Sequence, residues 1–133
     1  MINRTGMWLL MVLAWFSFSS FAEGAQQNHA VLDRNTARLH NGRVGVVFDL
    51  VHGTYDLNDA ESGQPVVRGA HAEVAQWTTD DAACTRTAST NAISDELGKG
   101  RCLLVECTAT GKPSILLEFR VYNGASFVVL RGC

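Results

Sequence analysis

Five glycine-bearing turns cut residues 31–133 into short apolar stretches, a spacing that suits antiparallel sheet and little else. The turns are Asn41-Gly42, His52-Gly53, Ser62-Gly63, Gly111-Lys112-Pro113 and Asn123-Gly124. Asn-Gly steps adopt the positive φ angles that tight hairpins need, so each marks a reversal between strands. Between the turns, apolar residues recur with period two. Val44, Val46, Phe48 and Leu50 share a face; so do Leu103, Val105 and Cys107; so do Ile115, Leu117, Phe119 and Val121, opposite Glu118 and Arg120. Ala72 to Trp77 alternates as well and is expected to form a strand. No convincing amphipathic helix interrupts the pattern. Seven or eight such strands predict an all-β fold, an antiparallel β-sandwich.

The last strand departs from the alternation. Phe127, Val128, Val129 and Leu130 are apolar on both faces, which suits a strand covered on both sides. An uncovered apolar edge invites aggregation. Two arrangements satisfy it: Ser126 to Arg131 runs centrally in the sandwich, or the natural protein continues and packs more structure here.

The first residues follow a different logic. Arg4 and the amino terminus supply positive charge, the run Met7 to Phe21 is apolar, and small residues follow. That order is a cleavable secretory signal. Cleavage after Ala22 uses Ser20 and Ala22 as the small pair; cleavage after Gly24 uses Ala22 and Gly24; the first is preferred. A membrane anchor fits less well, because the run is shorter than the ~20 apolar residues that span a bilayer. The expected organisation is residues 1–22 as signal, 23–30 as a disordered lead and 31–133 as one sandwich domain, in an exported protein of the periplasm or the extracellular space. After cleavage no membrane association is expected.

Export would permit disulfides, and Cys84, Cys102, Cys107 and Cys133 all follow the signal. Cys102 and Cys107 cannot bond to each other if they share a strand, since five residues span about 16 Å at roughly 3.3 Å each. Either could pair with Cys84 or Cys133, or stay a free buried thiol. Eleven basic residues against thirteen acidic ones, without a basic cluster, exclude a nucleic-acid partner.

Residue pairs that could carry chemistry fail on spacing. Glycosidic hydrolysis needs two carboxylates ~5–9.5 Å apart with one kept protonated. Asp80-Asp81 and Asp95-Glu96 are neighbours on extended chain and point to opposite faces, so they read as solvated loop charges. His29, His40, His52 and His71 fall in or beside turns, at intervals of eleven, twelve and nineteen residues, and read as surface histidines rather than ligands or bases. Leu97-Gly98-Lys99-Gly100 lacks the upstream glycine and following Ser/Thr of a phosphate loop, and reads as a turn. No catalytic residue, metal site or cofactor is expected. Sugar rings stack on aromatic faces, which makes Trp77, Tyr55 and Tyr122 the candidate carbohydrate-binding residues; core packing is the commoner fate of a lone tryptophan such as Trp77 after signal cleavage.

Several segments together resemble the amino-terminal domain of the α-galactosidase and raffinose-synthase type of glycoside hydrolase. They are Leu39-His40-Asn41-Gly42, Val46-Val47-Phe48-Asp49-Leu50 leading to Gly53-Thr54-Tyr55-Asp56, then Asp95 to Gly100, Leu116 to Tyr122 and Phe127 to Arg131. Their order and spacing carry the likeness more than any single motif. The resemblance implies a galactose-mutarotase-like supersandwich that precedes a (β/α) barrel, the barrel holding the two aspartates that act on α-galactosides. No residue of this chain matches those aspartates, and the four cysteines depart from the family's pattern. The implied role is that of a non-catalytic domain whose partner is a catalytic barrel in cis. A free-standing carbohydrate-binding module with an oligosaccharide ligand, and a disulfide-stapled envelope protein with a protein partner, are the alternatives.

Overall fold

The alternating segments do pair as antiparallel strands. The computed structural model describes residues 28–133; the expected signal and most of the expected lead lie outside them. One sheet is built from β1 (His29–Leu32), β2 (Thr36–His40), β3 (Val44–Asp49), β4 (Thr54–Asp59) and β5 (Pro65–Ala70), in that order across the sheet. After a two-stranded ribbon, β6 (Glu73–Val74) and β7 (Trp77–Thr78), a second sheet follows. It contains β8 (Thr85–Asp95), β9 (Gly98–Thr108), β10 (Ile115–Tyr122) and β11 (Val128–Gly132), ordered β11-β10-β9-β8. Every pairing is antiparallel, and the two large sheets pack face to face, β2 over β9, β3 over β10 and β1 over β8.

Alternation decides what lies between the sheets. Ala37, Leu39, Val46 and Phe48 from the first sheet meet Leu103, Val105, Cys107, Ile115, Leu117, Phe119 and Val121 from the second, all buried. An aromatic cluster ties the layers: Phe48 and Tyr55 stack at 6.4 Å between ring centroids, and Phe119 meets Tyr55 edge-on at 5.0 Å. Such pairs add ~0.5–1.5 kcal/mol beyond the area they bury.

Three expectations need correction. His29 and Ala30, expected in a disordered lead, belong to β1, where they pair with His40 and Leu39. Ala72 to Trp77 is not one strand, because the chain reverses at Ala75 and Gln76, both at positive φ (48° and 69°), to form the β6–β7 ribbon. The Leu-Gly-Lys-Gly segment is only partly a turn. Its reversal is at Glu96-Leu97, while Gly98, Lys99 and Gly100 already pair with β8. A Cβ at Gly100 would strike the Val121 carbonyl and the Tyr122 Cα, so this glycine lets β10 approach.

β11 is an edge strand that pairs only with β10, so the central placement of Ser126 to Arg131 does not hold. Its inward residues are incompletely covered, since Val128 packs on the core but Leu130 is 41% exposed; Phe127, just before the strand and 46% exposed, lies beside Tyr122 on the outer face.

Polar side chains close the two ends of the sandwich. At one end Asn41, 1% exposed, donates through Nδ2 to the carbonyls of Tyr122 and Ala125, both at 2.7 Å, and accepts from the amides of Arg43 and Val44 through Oδ1 at 2.9 Å. At the other, Arg86 donates to the carbonyls of Thr79 (2.6 Å), Asp81 (2.8 Å) and Val51 (2.9 Å). Gly53 sits against that guanidinium at φ +76°, where a Cβ would collide with Arg86 Nε and the Thr79 carbonyl.

Asn41→Ala should lower unfolding free energy by about 3 kcal/mol, because it strands buried backbone groups. Asn41→Asp, though isosteric, should cost at least as much, since it sets a carboxylate oxygen against two carbonyls. Gly53→Ala should also cost about 3 kcal/mol, from positive-φ strain plus the steric overlap. Denaturant unfolding of the three variants against the wild type checks these values.

Candidate functional site

The most concentrated group of charged side chains lies on the outer face of the second sheet. β10 alternates, so with Phe119 and Val121 turned inward, Glu118, Arg120 and Tyr122 project outward. Arg120 binds Asp95 Oδ2 through Nη1 at 2.8 Å and Glu118 Oε1 through Nε. The Tyr122 hydroxyl reaches across β9 to donate to the same Asp95 oxygen at 2.8 Å. Asp95 Oδ1 accepts the Leu97 amide at 2.8 Å, closing the β8–β9 turn.

These contacts fix the charge state. Hydrogen bonds from Tyr122, then from the Leu97 amide, together with the Arg120 charge, hold the Asp95 carboxyl below the usual carboxylate range against the opposing effect of burial. Burial, then the Asp95 hydrogen bond, pushes the Tyr122 hydroxyl upward. Arg120 is held protonated chiefly by Glu118. A glycosidic acid must keep its proton near neutral pH, and Asp95 does the reverse. The cluster therefore cross-links β8 and β10 rather than activating a substrate. Asp95, expected as a solvated loop charge, is instead a structural ion-pair partner.

Open clefts also lie among the described residues. One, of about 370 Å³, is lined by Arg43, Val44, Asn58, Asp59, Glu61, Val66 and Ser126. Its Asp59 is occupied locally, Oδ1 by the Glu61 amide and Oδ2 by the Ser62 hydroxyl. Another, about 210 Å³, lies on the outer face of the first sheet around Gly45, flanked by Arg38, His40, Val47 and Asn58. The rings of His40 and His29 stack there at 5.7 Å. All four histidines are exposed. Among the described residues no three His, Cys, Asp or Glu side chains gather to hold a metal ion.

The three aromatic candidates do not form a sugar platform. Trp77 is 2% exposed within the core, Tyr55 packs between Phe48 and Phe119, and Tyr122 is buried on the opposite face of the second sheet with Phe127 beside it. Their rings are engaged in packing, the commoner fate expected for Trp77, and share no exposed face. Arg86 and Asn41 carry the most demanding polar contacts; the sequence marks Asn41 only as a turn residue and Arg86 not at all, because their cross-sheet partners come from distant segments.

Of the cysteines, Cys84 and Cys107 belong to the core between the sheets. Cys102 is buried on the other face of β9, opposite Arg120, and Cys133 is exposed beside Leu116.

Asp95's depressed pKa sets a sign. A carboxylate held low stabilises the fold above the ordinary value near 3.8 and loses that contribution as pH falls through its folded value. The stability difference between wild type and Asp95→Asn should therefore be full above about pH 5 and shrink below about pH 4. Tyr122→Phe should move the loss to higher pH. Urea midpoints measured from pH 2 to 7 give both curves, and a pH-independent difference would count against the network. Comparison with known proteins finds no family model, no curated protein and no solved structure that matches the chain.

Proposed function

We propose that this chain is a non-catalytic β-sandwich module that supports a catalytic domain by packing against it along the β11 edge. The observation that carries this reading is the apolar edge itself. Leu130 of β11 is 41% exposed and Phe127, just before the strand, 46%, and among the described residues β11 pairs only with β10. Edge strands in proteins that stand alone are blunted by charge, proline or a covering segment. Arg131 is the only charged residue of β11.

The ordered likeness of residues 39–131 to the sandwich of α-galactosidase-type hydrolases names the partner in this reading: a (β/α) barrel acting on α-galactosides, in an exported protein. The absence of an acid–base pair in the Asp95 cluster agrees with chemistry supplied elsewhere. A free carbohydrate-binding module finds less support, since Trp77, Tyr55 and Tyr122 present no shared exposed face.

Co-expression of the full chain with an α-galactosidase-type barrel, followed by copurification, tests the proposal. The wild-type chain should copurify with the barrel, and Phe127→Lys with Leu130→Lys should abolish this while leaving cooperative unfolding in place. A soluble wild-type monomer that ignores the barrel and releases heat on titration with α-galactosides would overturn it in favour of a binding module.

A further inference from the structure

We propose that Cys84 and Cys107 form a disulfide when the chain folds in the presence of an external disulfide, and that Cys102 and Cys133 stay free. The sheet register selects this pair. Arg86 pairs with Cys107 and Thr85 with Thr108, so Cys84, just before β8, lies diagonally across from Cys107 on the inward face. Diagonal partners on one face lie close enough for side chains to meet. In this structure both are free thiols of the buried core, and the Cys84 thiol neighbours that of Cys107. A turn from the Cys84 amide to the Asp81 carbonyl, at 3.0 Å, sets Cys84 outside the strict ladder, where its backbone has room to adjust.

The same register excludes the other pairings. Cys102 and Cys107 are five residues apart on β9 and face opposite ways. Cys102 is opposite Arg120 and Cys133 exchanges backbone hydrogen bonds with Leu116, which places them about four residues and two strands apart, roughly 16 Å. Cys84 and Cys102 are separated by seven ladder positions, about 23 Å. Cys133 is three strands from β8, about 14 Å, and lies on the opposite face from Cys107. A disulfide requires Cα atoms within ~7 Å, which excludes those pairings and leaves Cys84 with Cys107, whose diagonal placement needs only a small backbone adjustment at Cys84.

The chemistry balances through a disulfide of a small thiol such as oxidised glutathione. The Cys84 thiolate, 9% exposed against 0% for Cys107, attacks one sulfur of the external disulfide and releases one thiol. The Cys107 thiolate then attacks the Cys84 sulfur of the mixed disulfide and expels the second thiol. Two protein thiols lose two protons and two electrons, and the external disulfide takes up both. In the closed core, burial and the neighbouring Cys84 push the Cys107 thiol up to about 12, so the second attack belongs to the folding chain rather than the finished domain.

The test refolds the full-length wild-type chain in a glutathione redox buffer, alkylates free thiols under denaturing conditions and maps peptides by mass spectrometry. The expected result is two alkylated thiols, at Cys102 and Cys133, and one linked pair, Cys84 with Cys107. Reduction should then lower the thermal midpoint by at least about 10 °C, since the link closes a long loop. Four alkylated thiols, a link between any other pair, or a midpoint indifferent to reduction would overturn the assignment. The readout is independent of where the protein resides and of any partner, so it stands apart from the proposed role.

Discussion

The side-chain amide of Asn41 is the join on which the relative placement of the two sheets depends. Apolar contact between sheets stabilises the sandwich but is non-directional, and by itself it would tolerate sliding. Asn41 removes that freedom at one end, because a single planar amide both closes the β2–β3 turn and holds the carbonyls of Tyr122 and Ala125 after β10. Its hydrogen-bonding capacity is fully used, and that makes the burial of a polar group tolerable. Arg86 does the equivalent at the opposite end, joining the turn after β3 to the segment between β7 and β8 through backbone carbonyls. The apolar core lies between these two polar closures.

The strands with a clean apolar face were legible in the sequence. β3, β9 and β10 bury the residues that period-two alternation selects, from Val46 and Phe48 to Phe119 and Val121. β8 was harder, because its inward face carries Arg86, Ala88 and Thr90, a mixture of charge, small volume and hydroxyl that reads as loop. The β6–β7 ribbon escaped for a different reason: Ala75 and Gln76 take positive φ without glycine or asparagine to announce the turn. Of the two end closures only the Asn41-Gly42 turn was legible, since Asn41 also binds a carbonyl 81 residues away and Arg86 one 35 residues away. Local patterns carry strand identity, whereas these contacts exist only once the sheets are stacked.

The same distinction applies to the site. Asp95 next to Glu96 looked like a solvated acidic pair, but the partner that matters to Asp95 is Arg120, brought beside it by the β8–β9–β10 register. The Tyr122 hydroxyl, the Leu97 amide and the Arg120 charge together hold the Asp95 carboxyl below the usual range, so the network that stiffens the outer face also keeps Asp95 from carrying the proton of a glycosidic acid. The aromatic residues tell a parallel story. Tyr55 and Trp77 were attractive as sugar platforms because they are large, and large apolar groups in a small domain are what a core consumes first.

Side-chain volume varies along the interior of the sandwich. Near β1, β2 and β8 the inward positions include the small residues Ala30, Ala37 and Ala88. Toward β3, β4 and β10 they include Phe48, Tyr55 and Phe119, whose rings contact one another between the layers. The first sheet also has one more strand than the second. Exposed apolar side chains stand at an edge of each sheet, Val31 and Leu32 (53% and 44%) on β1 and Leu130 (41%) on β11, while β4 is partly exposed along its length. The aromatic cluster therefore ties β3 and β4 to β10, while β11, paired with β10 alone among the described residues, keeps Leu130 partly exposed.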